Sequence, residues 1–143
     1  ALAGCGEVGD DRYVATANDD VLVVLEDVAR GDGGALSTAT VHYILAAPQP
    51  LEEGQAAGRK VQRMTYQSGF DCSQKTWGSM SRSYTFEDGG TLNETESATA
   101  LRPAAPDSVA GHIIATVCDP ATAQAARNQR SLETLEQRYR AAL

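Results

Sequence analysis

Histidine is scarce in this chain of 143 residues: His42 and His112 are the only two, and they lie far apart. A zinc site needs about three or four ligands, and neither histidine has a ligand-type neighbour at the i+2 to i+4 spacing. Each is expected as a half-exposed strand residue, and neither a metal nor a cofactor is expected. Nucleophiles with a base are equally lacking. Cys118 and His112 are the one cysteine–histidine candidate, yet six positions apart on one strand they would not touch. There is no Gly-x-Ser-x-Gly, no phosphate-cradling glycine loop and no dinucleotide fingerprint. No catalytic residue is assigned, and the chain is not expected to be an enzyme.

Long apolar runs are missing too. A transmembrane helix needs roughly 18 or more apolar residues, whereas the longest stretch here is Val21-Leu22-Val23-Val24-Leu25. Basic residues are outnumbered, 12 against 19 acidic ones, for a net charge of −7. Nucleic acid is therefore excluded as a partner, because its binding is driven by lysine and arginine displacing phosphate counterions. An anionic membrane is disfavoured for the same reason unless a lipid anchor holds the chain there. Asp10-Asp11 and Asn18-Asp19-Asp20 lack the spacing of a calcium loop and are expected as solvated turns.

What is present fits one domain. A chain of this length buries about 68–70% of its unfolded surface, enough for a core without a metal. The hydrophobic share of 42% argues against wholesale disorder. Residues 1–11 form a leader or tether rich in glycine and acid, and residues 12–143 form the folded domain. Within the leader, Leu2-Ala3-Gly4-Cys5 has the pattern at which bacterial lipoproteins are cut and lipidated, and Ala1-Leu2-Ala3 resembles an ordinary secretory cleavage site. Both point to export, to the cell envelope as an outer-membrane lipoprotein or to the periplasm. Lipidation would fall on Cys5.

Outside the cytoplasm thiols can stay oxidised. Cys72 and Cys118 are then expected to form one disulfide, closing a long loop around residues 91–111, the stretch with least apolar patterning. Cys5 is the odd cysteine, which lipidation accounts for. The alternative is three reduced thiols, with Cys118 an apolar strand residue.

Period-two alternation sets out the strands. One is expected near Arg12–Ala17, ending at the Asn18-Asp19-Asp20 turn. A second, from Val21 to about Arg30, is apolar enough to be buried on both sides. Gly31 to Gly34 breaks it, and a third strand pairs back with Ser37, Ala39, Val41, Tyr43 and Leu45 on one face and Thr38, Thr40, His42 and Ile44 on the other. Pro48 and Pro50 are expected to end that run. Leu51–Gly58 is expected as loop and Arg59–Gln67 as strand. From about Lys75 another strand is expected to face Met80, Tyr84 and Phe86 one way and Ser79, Ser81, Ser83 and Thr85 the other. Residues 91–111 are expected to be irregular, followed by a last strand at His112–Cys118. Asp119-Pro120 then announces a helix, an N-cap followed by a residue pre-set for the first turn. It is expected to run unbroken over 120–141, with Leu132, Leu135 and Tyr139 docked on the sheet and Arg127, Arg130, Arg138 and Arg140 on a solvated face or toward an acidic partner. Trp77 is expected to pack over the disulfide, or else to stand in a binding patch. The fold class is α+β: an antiparallel β-sheet of about five to six strands with a C-terminal α-helix packed on it.

In this order the elements resemble the surface-adhesin protein E family of bacterial envelope proteins, over about Tyr13 to Cys118. The likeness rests on the strand Val21–Val28 with Ala29-Arg30-Gly31, on Val41-His42-Tyr43, on Asp71-Cys72 followed by Tyr84 and Asp88-Gly89, and on Pro106-Asp107-Ser108 leading to Val117-Cys118. The resemblance implies an antiparallel sheet flanked by helix, a Cys72–Cys118 disulfide and attachment at the cell surface. Some members are similar to host-matrix adhesins that bind vitronectin or laminin. On this reading the function is adhesin-like binding of extracellular-matrix or envelope macromolecules, with a homodimer as a further expectation. No binding motif is marked in the sequence, and positive charge gathers at Arg59-Lys60, Arg63 and the tail arginines. A small periplasmic module that encloses an apolar ligand is the alternative.

Overall fold

The computed structural model describes residues 11–32, 34–51, 58–94 and 98–143. Five strands follow one another as an antiparallel meander: β1 (Arg12–Ala17), β2 (Val21–Ala29), β3 (Ser37–Pro50), β4 (Lys60–Asp71) and β5 (Thr76–Phe86). Three short strands complete the sheet: β6 (Thr91–Glu94), β7 (Arg102–Pro103) and β8 (Arg127–Asn128). The spatial order is β6-β5-β4-β3-β2-β1-β8, with β7 paired to the far end of β5. Among the described residues the helices are α1 (Val109–Cys118), α2 (Pro120–Ala126) and α3 (Leu132–Ala141).

The β1–β2 turn shows how local chemistry starts the meander. The Asn18 Oδ1 accepts the amides of Asp20 and Val21 at 2.7 and 2.9 Å, replacing the ladder bonds the chain gives up while reversing. Alternation along β2 then sends Val23 and Leu25 to one face and Leu22 and Val24 to the other, and all four are buried. On the first face, Val23, Leu25, Ala39, Val41 and Phe70 pack against Ile113, Ile114 and Val117 of α1. On the second, Leu22, Val24 and Ile44 pack against Leu132 and Leu135 of α3, with Tyr139 and Val14 at the margin. The sheet is thus a middle layer with a helix against each side of β2 and β3.

Several expectations are corrected. His112–Cys118 is helix, not strand. The Ser108 hydroxyl caps it by accepting the Gly111 amide at 3.0 Å. β-Branched residues cost only tenths of a kcal/mol each in a helix. Burying Ile113, Ile114 and Val117, by contrast, is worth about 1.5–3 kcal/mol apiece. Packing decides.

The tail is not one helix over 120–141. The Asp119 cap and Pro120 start it as expected, but Arg127 turns extended and β8 pairs with Arg12 and Tyr13 of β1. Ser131 then caps a fresh helix. The strand β3 does not stop at Pro48. A register irregularity between Ile44 and Gln49 carries the proline outside the regular ladder, after which Gln49 and Pro50 pair with Val61 and Lys60. β4 runs on to Asp71, beyond the expected end at Gln67. Among the described residues eight strands replace five or six, because the short β6 and β7 lie within the stretch expected to be irregular and β8 within the expected helix. The leader's residues 1–10, Cys5 among them, and most of the expected 51–58 loop lie outside the described residues.

Candidate functional site

The helix α1 covers only part of its face of the sheet. Beyond it, a cleft of about 220 Å³ is lined by Tyr43, Met64, Tyr66, Trp77, Arg82 and Arg102, with the Ser79 and Thr99 hydroxyls. Register explains the convergence. Tyr43 pairs with Met64, Val41 with Tyr66, Tyr66 with Arg82, and Phe70 with Trp77, so these side chains share one surface.

One irregularity in β5 is essential to this arrangement. Gln67 pairs with Ser81 but Ser68 pairs with Ser79, so Met80 is an extra residue in a bulge. The bulge resets the alternation, aligning odd-numbered Trp77 and Ser79 with even-numbered Arg82 and Tyr84. Met80 is left 48% exposed. It does not share a face with buried Tyr84 and Phe86, and Ser79 is buried rather than facing away with Ser81.

The outer rim is built by chain crossing the edge of β5. The Thr99 amide donates to the Ser79 carbonyl at 2.8 Å and its hydroxyl accepts the Ser79 amide at 2.9 Å. Gly78 permits this: a Cβ there would sit 2.8 Å from the Thr99 carbonyl oxygen. Pairing of Arg102 with Trp77 in β7 then sets the arginine beside the indole.

Tyr43 and Tyr66 meet edge to face, with centroids 5.4 Å apart and planes at 78°. Burial, reinforced by Tyr66, pushes the Tyr43 phenol up to about 12, so it stays a hydrogen-bond donor at any physiological pH. The Arg82 guanidinium lies 5.5 Å from the Tyr84 ring centre, and its Nε donates to Glu94 at 2.7 Å. Burial opposes the Arg82 charge, but hydrogen bonds with Glu94 and Tyr66 outweigh it and raise its pKa. Arg102 is different. Its guanidinium lies 5.4 Å from the Trp77 ring centre and forms no ion pair among the described residues.

The opposite face carries a polar array. His42 Nε2 lies 2.7 Å from Glu26 and Nδ1 lies 2.9 Å from the Thr65 hydroxyl, while Arg12 Nε is 2.7 Å from the other Glu26 oxygen. His42 is buried, not half-exposed, and burial lowers its pKa although Glu26 pulls it upward. Neutral His42 donates to Glu26 and accepts from Thr65. A hydroxyl, an imidazole and a carboxylate are therefore in line, as in an acyl-transfer triad. Thr65, however, lies inside the sheet between His42 and Ser83, where backbone amides are committed to ladder bonds rather than free to hold an oxyanion. His112, by contrast, is exposed on α1.

The Cys72 and Cys118 sulfurs are bonded at 2.04 Å, joining the end of β4 to the last residue of α1. A cleft of about 200 Å³ lies beside them, and an apolar one of about 250 Å³ lies against α1, flanked by Lys75 and Pro106. Trp77 packs on the core that Cys72 also joins, while Arg102 and the cleft occupy its outer side. The tail arginines do not form one solvated face. Arg127 pairs with Asp11 at 3.1 Å, and Arg140 binds Glu136 and the carbonyls of Leu45 and Gln62. Among the described residues no three His, Cys, Asp or Glu side chains converge as a metal-binding group, and no helix is long and apolar enough to cross a membrane.

Of the residues assigned from sequence, the structure joins Cys72 to Cys118. The cleft residues were not assigned. Alternation marks Met64 and Tyr66, but the bulge conceals Arg82 and no local pattern marks Arg102. No family model, curated protein or solved structure matches the chain.

Proposed function

We propose that this chain is a non-enzymatic, exported protein of a bacterial cell envelope that binds macromolecules on its sheet, in the manner of a surface adhesin. The observation that carries the reading is the cleft that α1 leaves uncovered: three aromatic rings and two guanidiniums on one rigid surface. Aromatic residues and arginine are the side chains enriched where proteins bind one another. The disulfide is compatible with export, and Leu2-Ala3-Gly4-Cys5 supplies an anchor through Cys5. The resemblance to the surface-adhesin protein E family agrees with both. The clefts against α1 and beside the disulfide are about 250 and 200 Å³, below the roughly 300–1,000 Å³ of sites that enclose a small ligand. Among the described residues this favours surface contact over the apolar-ligand module.

The test is binding of the full chain to immobilised vitronectin, laminin and envelope proteins, compared with a Tyr66→Ala variant. Captured protein that is lost with Tyr66→Ala supports the reading. Binding unaffected by Tyr66→Ala, or no binding at all, refutes it.

A further inference from the structure

Resting on that reading, we infer that the cleft takes one carboxylate-bearing sugar ring of an acidic polysaccharide. Its walls are aromatic: Tyr43 and Tyr66 meet edge to face with planes at 78°, and Trp77 lines the same cleft. Such walls suit the apolar C–H faces of a pyranose. Its rim is polar, with the Thr99 hydroxyl and a Tyr43 phenol that remains protonated. The volume of about 220 Å³ suits a single ring with its chain continuing over the sheet, not an enclosed molecule.

Charge selects the kind of sugar. Arg82 is already neutralised by Glu94. Arg102 meets no carboxylate among the described residues, and its planar fork matches one in bidentate fashion. A neutral sugar would leave that guanidinium without a counter-charge. An extended peptide would seek the edge of a sheet, but the edge of β5 is taken by β6, β7 and the Thr99 crossing. The chain as a whole, at net charge −7, repels polyanions. Binding is therefore local, modest in affinity and weakened by salt.

The experiment is titration of the full chain, followed by calorimetry and saturation-transfer NMR, with a hyaluronan hexasaccharide. Parallel arms use the same hexasaccharide with its carboxylates reduced to alcohols, a heparin hexasaccharide, and hexaglutamate. The expected result is binding of the uronate oligosaccharide, with saturation transfer to its ring protons. Affinity should fall at least about tenfold on carboxyl reduction and with Arg102→Gln, and recover in part with Arg102→Lys. Arg102 is exposed, so these variants fold, which circular dichroism checks. Equal affinity for the reduced oligosaccharide, indifference to Arg102→Gln, preference for hexaglutamate, or tighter binding of heparin through its sulfates would each overturn the inference, as would failure to bind any oligosaccharide. If protein capture sensitive to Tyr66→Ala persists without oligosaccharide binding, the surface-binding reading survives and only the sugar assignment fails. If that capture is absent or insensitive while the uronate binds, the reverse holds.

Discussion

Replacing both Cys72 and Cys118 by alanine tests how the disulfide stabilises this domain. The two half-cystines are 46 positions apart, and closing a loop of that length in the unfolded chain is worth about 4 kcal/mol on the chain-entropy model. The unfolding entropy of a 143-residue domain is about 0.3 kcal/mol/K. A loss of about 2–4 kcal/mol, the usual range for a disulfide, then lowers the melting midpoint by about 7–13 °C. The lower part of that range is favoured by α1, whose Ile113, Ile114 and Val117 hold it to the sheet without the bond. The upper part is favoured by Leu101, Arg102 and Pro103, which lie exposed inside the loop and bury little to retain it. Scanning calorimetry of the double variant, in a Cys5→Ser background to prevent exchange, measures the shift. A change below about 2 °C would refute the reasoning, because the open chain would then be no harder to order than the closed one.

Gly111→Ala sets helix propensity against space. Alanine is favoured over glycine by about 1 kcal/mol inside a helix, but its Cβ would lie 2.1 Å from the Ala105 carbonyl oxygen and 2.7 Å from that of Pro106. The expected outcome is destabilisation by about 2 kcal/mol or more in urea unfolding, and a stabilised variant would contradict the helix–loop contact. His42 sets a pH dependence. Its pKa in the fold lies below 6.5, chiefly because burial disfavours the charged ring, so the unfolded chain takes up this proton first. The stability contributed is complete above about pH 6.5 and is lost as the pH falls through 6.5 toward the lower folded value. Urea midpoints at pH 7.5 and 5.5 should separate more in the native chain than in a His42→Gln variant. Equal separation would show that the ring is not held neutral.

The meander was legible because its strands advertise themselves locally. β1 and β2 begin at the expected residues, Arg12 and Val21, since the Asn18 turn fixes where the chain reverses. The segment His112–Cys118 misled because its β-branched residues suit a strand, whereas the Ser108 cap and the apolar face waiting on β2 to β4 make it a helix. The tail looked continuous because no glycine or proline interrupts it. Its break at Arg127 comes from pairing with β1, a tertiary event that neighbouring residues do not announce. The cleft was hidden for a related reason. Its members come from three strands and an edge crossing, and strict alternation across Met80 places Arg82 on the wrong side. The Cys72–Cys118 disulfide and the antiparallel sheet with a C-terminal helix are present as expected.

The bulge at Met80 makes β5 a strand with two phases. Without Met80, Ser79 and Ser81 would stand side by side opposite Ser68 and Gln67, and both halves would keep the faces they have now. Trp77 would stay in the cleft, and Tyr84 and Phe86 in the interior. A codon can therefore be lost at this position without turning either half of the strand over, whereas a further one gained there would do so unless the bulge widened to take it.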